Sequence, residues 1–151
     1  MKKILFIFCS LMLILCSTGC GEKNVKGSLE DIMNKVYSSI PEEERPMMLT
    51  NVEVTEENAE MYLGASDIEF EEALASESAT GSIAHSVVLV RVKANANIEQ
   101  IKEKIEKNIN PRKWICVEAE EVEVESKGNL IILIMSTEAN AEKIETEFNK
   151  L

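Results

Sequence analysis

Two segments constrain this chain more than any other feature: Val87–Val92 and Leu130–Met135, both almost continuously apolar and rich in β-branched residues. A strand with one face in water alternates apolar and polar side chains, whereas a strand covered on both faces need not. Both segments are therefore expected as central strands, covered on at least part of both faces. A helical stripe follows each of them. Ile98, Ile101, Ile105 and Ile109 form the first, opened by Asn97 with Gln100 in the pattern of a capping box and closed by Asn110-Pro111. Ala141, Ile144, Phe148 and Leu151 form the second.

The remaining elements are read in the same way. Leu29, Ile32, Met33, Val36, Tyr37 and Ile40 share one helical face, with Ser28 as cap, Asp31 near the positive end and Pro41 as stop. Met48 to Val54 reads as an extended or edge segment. Thr55 is expected to cap a short helix ended by Gly64 in a left-handed conformation. Ile68 to Glu77 alternates and predicts a strand, and Thr80-Gly81-Ser82 a turn. Between Trp114 and Glu125 the apolar parity switches from Ile115, Val117 and Ala119 to Val122 and Val124, which predicts a strand with a β-bulge at Glu120-Glu121.

Sliding the chain by 43 residues lays Val87-Val88-Leu89-Val90 over Leu130-Ile131-Ile132-Leu133 and Ala96-Asn97 over Ala139-Asn140. Both halves read strand, strand, helix. The expected fold is α+β: a two-layer sandwich whose four-stranded, mainly antiparallel sheet comes from the two strand-strand-helix units. Both helices lie on one face, and the N-terminal amphipathic helix is added.

The first twenty residues bear on location. Lys2 and Lys3 precede an apolar run from Ile4 to Cys16 that is too short to span a bilayer comfortably and is followed by small residues, as in a secretory signal. Ser17-Thr18-Gly19-Cys20 resembles the lipobox of bacterial lipoproteins, although Ser17 stands where Leu is usual. That resemblance implies residues 1–19 as a lipoprotein signal peptide, a diacylglyceryl group on Cys20, residues 20–27 as a linker and 28–151 as one domain. The partner so implied is a membrane, with the body on the outer face of the cytoplasmic membrane, since two acyl chains anchor stably where one does not.

Composition closes off several functions. Hydrophobic residues make up 45% and charged residues 28%, against both disorder and a multi-span membrane protein. The chain carries 16 Lys plus Arg against 27 Asp plus Glu, for a net charge of -11, which repels phosphate backbones, so no nucleic-acid partner is expected. Once Cys20 is lipidated and residues 1–19 are removed, Cys116 is the single remaining thiol and no internal disulfide can form.

Catalytic raw material is scarce. His85 is the only imidazole, and Ser86 beside it on a strand points to the opposite face, so the two cannot act as nucleophile and base on regular backbone. Cys116 can be a thiolate nucleophile or a small half-buried hydrophobe. Asp67, Glu69 and Glu71, and Glu118 with Glu120, alternate and can hold a hard cation or form a solvated acidic face. No EF-hand loop, zinc spacing, Walker loop or dinucleotide fingerprint is present. No cofactor and no metal site are expected.

Ser28-Leu29-Glu30-Asp31-Ile32, Met61-Tyr62-Leu63-Gly64, Gly81 to Val88 and Asn110 to Val117 together resemble an uncharacterised family of Gram-positive bacterial lipoproteins built on a domain of unknown function. The likeness runs over about Leu29 to Met135. It implies an anchored extracytoplasmic domain and supplies no catalytic or ligand-binding residues.

The expected activity is that of a non-enzymatic module binding another protein or an envelope component. The segments Gly81–Ser86 and Asn110–Cys116 are the place to look, with His85, Ser86, Arg112, Trp114 and Cys116 as candidate binding residues, because loops on a rigid frame carry function. The alternatives are a thiol-dependent hydrolase using Cys116 and His85, and a cation-binding lipoprotein.

Overall fold

The computed structural model describes residues 23–151. The signal segment and Cys20 lie outside them. The described chain forms an open five-stranded antiparallel sheet covered by helices, an α+β fold. In chain order the elements are α1 (Leu29–Val36), β1 (Leu49–Glu53), α2 (Ala59–Leu63), β2 (Glu72–Ser78), β3 (Ser86–Arg91), α3 (Ile98–Asn108), β4 (Glu121–Lys127), β5 (Leu130–Ser136) and α4 (Glu138–Phe148). The strands are ordered β1-β2-β3-β5-β4.

The two apolar runs occupy the centre. β3 and β5 are paired with each other, Val87 opposite Ile134 and Val90 opposite Ile131, and every residue of both strands is buried. Their side chains alternate between two cores. Val87, Leu89, Leu130, Ile132 and Ile134 pack with Ile32, Val36, Ile144 and Phe148 of α1 and α4. Val88, Val90, Ile131 and Leu133 pack on the other face with Leu63 of α2 and Ile105 of α3. Each large aliphatic side chain so buried contributes roughly 1.5–3 kcal/mol.

Two expectations are corrected here. The sheet has five strands, because Met48–Val54 supplies a true edge strand, β1, paired with β2. The helices of the two strand-strand-helix units lie on opposite faces, so there are three layers in place of two. A strand apolar on both parities offers either face to the helix that follows it, and the connection decides. The longer link from Val92 to Asn97 takes α3 to one side, while Thr137 alone joins β5 to α4 on the other.

Local signals account for most element ends. Ser28 Oγ accepts the Asp31 N–H and Asn97 Oδ1 accepts the Gln100 N–H, as capping requires. Gly64 has φ +78 at the end of α2. The first helix stops at Val36, short of the expected Ile40, because Arg45 donates to the terminal carbonyls of Tyr37 and Ile40 and favours a turn there. Ile40 remains fully buried.

Two predicted strands start late. Ile68 and Phe70 cover the core from a loop, and β2 begins only at Glu72. No bulge is needed near Glu120-Glu121, since residues 115–120 are irregular and β4 pairs one-for-one with β5 from Glu121. The parity switch marks the entry into the strand.

Candidate functional site

β2 and β3 are the strands that bring the candidate residues into place. Glu77 lies directly opposite Ser86, both on the α2/α3 face at the end of the sheet where β3 begins. Lys113, from the loop after α3, crosses that end and donates to Glu77 Oε2 at 2.7 Å and to Ser86 Oγ at 3.2 Å. Its ammonium also lies 4.8 Å from the Tyr62 ring centroid and 5.2 Å from that of Trp114. Only 9% of the Lys113 side chain and 13% of the Glu77 side chain are exposed. The cation is thus held by one carboxylate and two aromatic faces.

Burial pulls the Lys113 ammonium below its usual value and Glu77 pulls it back. Burial, followed by the Glu77 charge, raises the Tyr62 phenol. Ser86 is fully buried, and the lysine that touches it is tied up in an ion pair, so the cluster presents neither an accessible nucleophile nor a free base.

Beside this cluster the surface opens into a hollow of about 280 Å³, lined among others by Thr50, Val52, Tyr62, Glu77, Gly81 and Trp114. Trp114 is 7% exposed, and its indole N–H is buried without a hydrogen-bond partner among the described residues. Such an orphaned donor costs about 1–3 kcal/mol. Larger hollows open elsewhere, one around Asp67, Glu69 and Lys93 and another around Glu53, Glu56 and Glu71; they take in acids of the expected acidic face but none of His85, Ser86, Arg112, Trp114 or Cys116.

Several exposed apolar residues are joined to the lining of the Trp114 hollow through the chain or its backbone hydrogen bonds. Met61 and Ile115 each adjoin an aromatic residue that lines it. Met48 accepts the Ala79 N–H through its carbonyl, and the Met47 carbonyl accepts from Ser78 Oγ.

His85 sits apart from all of this. It is 1% exposed, and its Nε2 lies 2.7 Å from Tyr37 Oη and its Nδ1 2.7 Å from Ser136 Oγ. Tyr37 caps the end of α1 and Ser136 is the last residue of β5, both on the face opposite Ser86, as strand alternation requires. With Ser76 hydrogen-bonded to the phenol as well, a neutral imidazole satisfies both contacts, accepting at one nitrogen and donating at the other. Burial lowers the His85 pKa to about 4 and pushes the Tyr37 phenol up.

The structure therefore divides the predicted site residues. It brings the two predicted segments together, through Lys113 on Ser86 and through Gly81 and Trp114 in one hollow. It does not join Cys116 to His85: the thiol is exposed on the loop, while both imidazole nitrogens are engaged inside the opposite face. Arg112 is exposed and pairs with Glu118 at 3.1 Å.

The acidic residues do not converge either. Asp67 pairs with Lys104 and Glu69 with Lys93, and among the described residues no group of three or more His, Cys, Asp or Glu is placed to hold a metal ion. Tyr62, Glu77 and Lys113 were not expected from sequence. The only available signal was Lys113 beside Trp114, inside the Asn110–Cys116 segment and just before the predicted strand.

The other end of the sheet holds the start of the described chain. Arg91, the last residue of β3, donates to the carbonyls of Val25 and Gly27 at 2.6 Å each and pairs with Glu72. The Val25 N–H is bound by Asn129 Oδ1. Residues expected to be a linker are thus strapped to the body. No helix among the described residues is long and apolar enough to cross a membrane.

No family model, curated protein or solved structure matches this chain.

Proposed function

We propose that this chain is an anchored, non-catalytic binding module of the cell envelope. In this reading residues 1–19 are removed and Cys20 carries a diacylglyceryl group. The body stands on the outer face of the cytoplasmic membrane, where it binds another protein or an envelope component, as a member of the lipoprotein family its motifs resemble. The observation that carries the proposal is the placement of the strap and the hollow at opposite ends of the sheet.

β3 separates them by about 17 Å, five residue steps at about 3.4 Å each. Only five residue steps separate Cys20 from Val25, a reach of at most about 18 Å. An acyl chain at Cys20 therefore tethers the Arg91 end within about 18 Å of the bilayer and leaves the Trp114 hollow at the far end of the sheet. The hollow's aromatic lining and adaptable methionine surroundings suit a protein surface better than a small polar substrate.

Photo-crosslinking in intact cells tests this. A crosslinker at Met48 should capture a discrete partner that one at Lys127, near the strap, does not. Identical products from both positions would contradict the assignment of the site.

A further inference from the structure

The sheet ends in two edge strands of different character. β4 carries Glu121, Glu123 and Glu125 on one parity. Burial first, and then the charges of Glu145, Glu121 and Glu125, raise the Glu123 carboxyl, so this edge is guarded by mutually repelling acids. β1 begins with four uncharged residues, Leu49-Thr50-Asn51-Val52.

The hydrogen-bond phase of β1 follows from two bonds. The Val54 N–H donates to the Ala73 carbonyl and the Ala79 N–H to the Met48 carbonyl, so the even-numbered residues bond β2. The N–H and C=O groups of Leu49, Asn51 and Glu53 point away from the sheet. The Glu53 carbonyl is taken by Asn58 Nδ2, and among the described residues the Leu49 and Asn51 groups form an open ladder. Thr50 and Val52, on the same strand, line the Trp114 hollow.

Charge identifies the occupant. Glu53 ends this strand, and the three acids Glu56, Glu57 and Glu60 follow it in the chain. All four are exposed, and none belongs to any of the ion pairs among the described residues. A second copy carries the same net charge of -11, which disfavours self-association through this edge.

The structure assigns this edge to an extended, lysine- or arginine-bearing peptide segment of a partner protein. The segment adds to β1 as a sixth strand and drops one apolar side chain into the hollow lined by Tyr62 and Trp114. Main-chain bonds at Leu49 and Asn51 supply the docking, and alternate side chains meet the hollow and the acids. The inference rests on the binding-module reading and specifies its ligand.

The single tryptophan makes the test direct. The purified full chain, as cells deliver it in neutral detergent, is titrated with a seven-residue peptide alternating lysine and valine. A second titration uses the same peptide with glutamate for lysine. The lysine peptide should shift Trp114 emission saturably and bind at least tenfold more weakly when salt rises from about 50 to about 300 mM, and the glutamate peptide should give no response.

Asn51→Pro removes an outward N–H that β2 does not use, and should weaken lysine-peptide binding at least tenfold with an unchanged urea midpoint. Should that variant misfold, the triple change Glu56→Lys, Glu57→Lys and Glu60→Lys should reverse the peptide preference. Equal response to both peptides, no saturable response, or full binding by both variants would overturn the proposal. A partner captured from Met48 combined with no lysine-peptide response would reject the ligand class and leave the module reading standing. Concentration-dependent dimerisation through β1 would also reject it.

Discussion

His85 shows how one side chain can be chemically capable and still be structural. Tyr37 and Ser136 fix both ring nitrogens, and burial holds the pKa at about 4, against an ordinary 6.5. The unfolded chain binds a proton through that window and the folded chain does not, so stability falls as pH drops from 6.5 towards 4 and levels off below. The full difference is about 3 kcal/mol. His85→Gln should flatten the pH dependence of the urea midpoint over that interval; a variant as steep as the parent would contradict this origin.

At Lys113 the expectation differs. Lys113→Met alone leaves the Glu77 carboxylate buried without its partner and should cost about 3–5 kcal/mol, whereas Lys113→Met with Glu77→Leu should recover most of that loss. Additive losses in chemical denaturation would argue against a coupled pair. Neither partner was legible in the sequence. Glu77 and Lys113 lie 36 positions apart, and only the strand pairing of Glu77 with Ser86 and the loop after α3 bring them together. What could be read was negative: His85 and Ser86 had to face opposite ways on a strand, and they do.

The elements were legible where local chemistry sets them and not where packing does. Ser28, Asn97 and Gly64 mark ends that the structure keeps, because caps and left-handed turns are decided within a few residues. The β-bulge and the early start of β2 failed because alternating residues in a loop can cover a core as a strand does. Ile68 is 5% exposed with no strand around it. The layer count failed for a related reason: Val87–Val92 and Leu130–Met135 signal cover on both faces, but a strand apolar on both parities does not say which face the following helix takes.

The glycines test this account of the elements. A Cβ at Gly64 would lie 2.5 Å from the Ile109 backbone nitrogen, on top of the left-handed φ. Gly64→Ala should therefore cost about 2–5 kcal/mol, from roughly 1–2 for the backbone and 1–3 for the overlap. Gly81→Ala, with nothing within 4 Å, should change the thermal midpoint little. Equal effects at the two positions would show that the close approach of Gly64 to the end of α3 is not formed.

For the whole molecule the decisive relation lies between the strap at one end and the open edge with its hollow at the other. Arg91 is the strap's principal donor, through two carbonyls. Arg91→Met should speed amide exchange at Val25 and expose Lys26 to trypsin while the central strands keep their protection; unchanged exchange at Val25 would show that other contacts hold it. Under the proposed lipid anchor, the chain's net charge of -11 would keep the body off anionic headgroups.

The most direct measurement is the intact mass and N-terminal peptide of the chain recovered from cell membranes. Loss of residues 1–19 with diacylglyceryl on Cys20 is the predicted result. A chain still beginning at Met1, or one recovered from cytosol with a free Cys20 thiol, would contradict it.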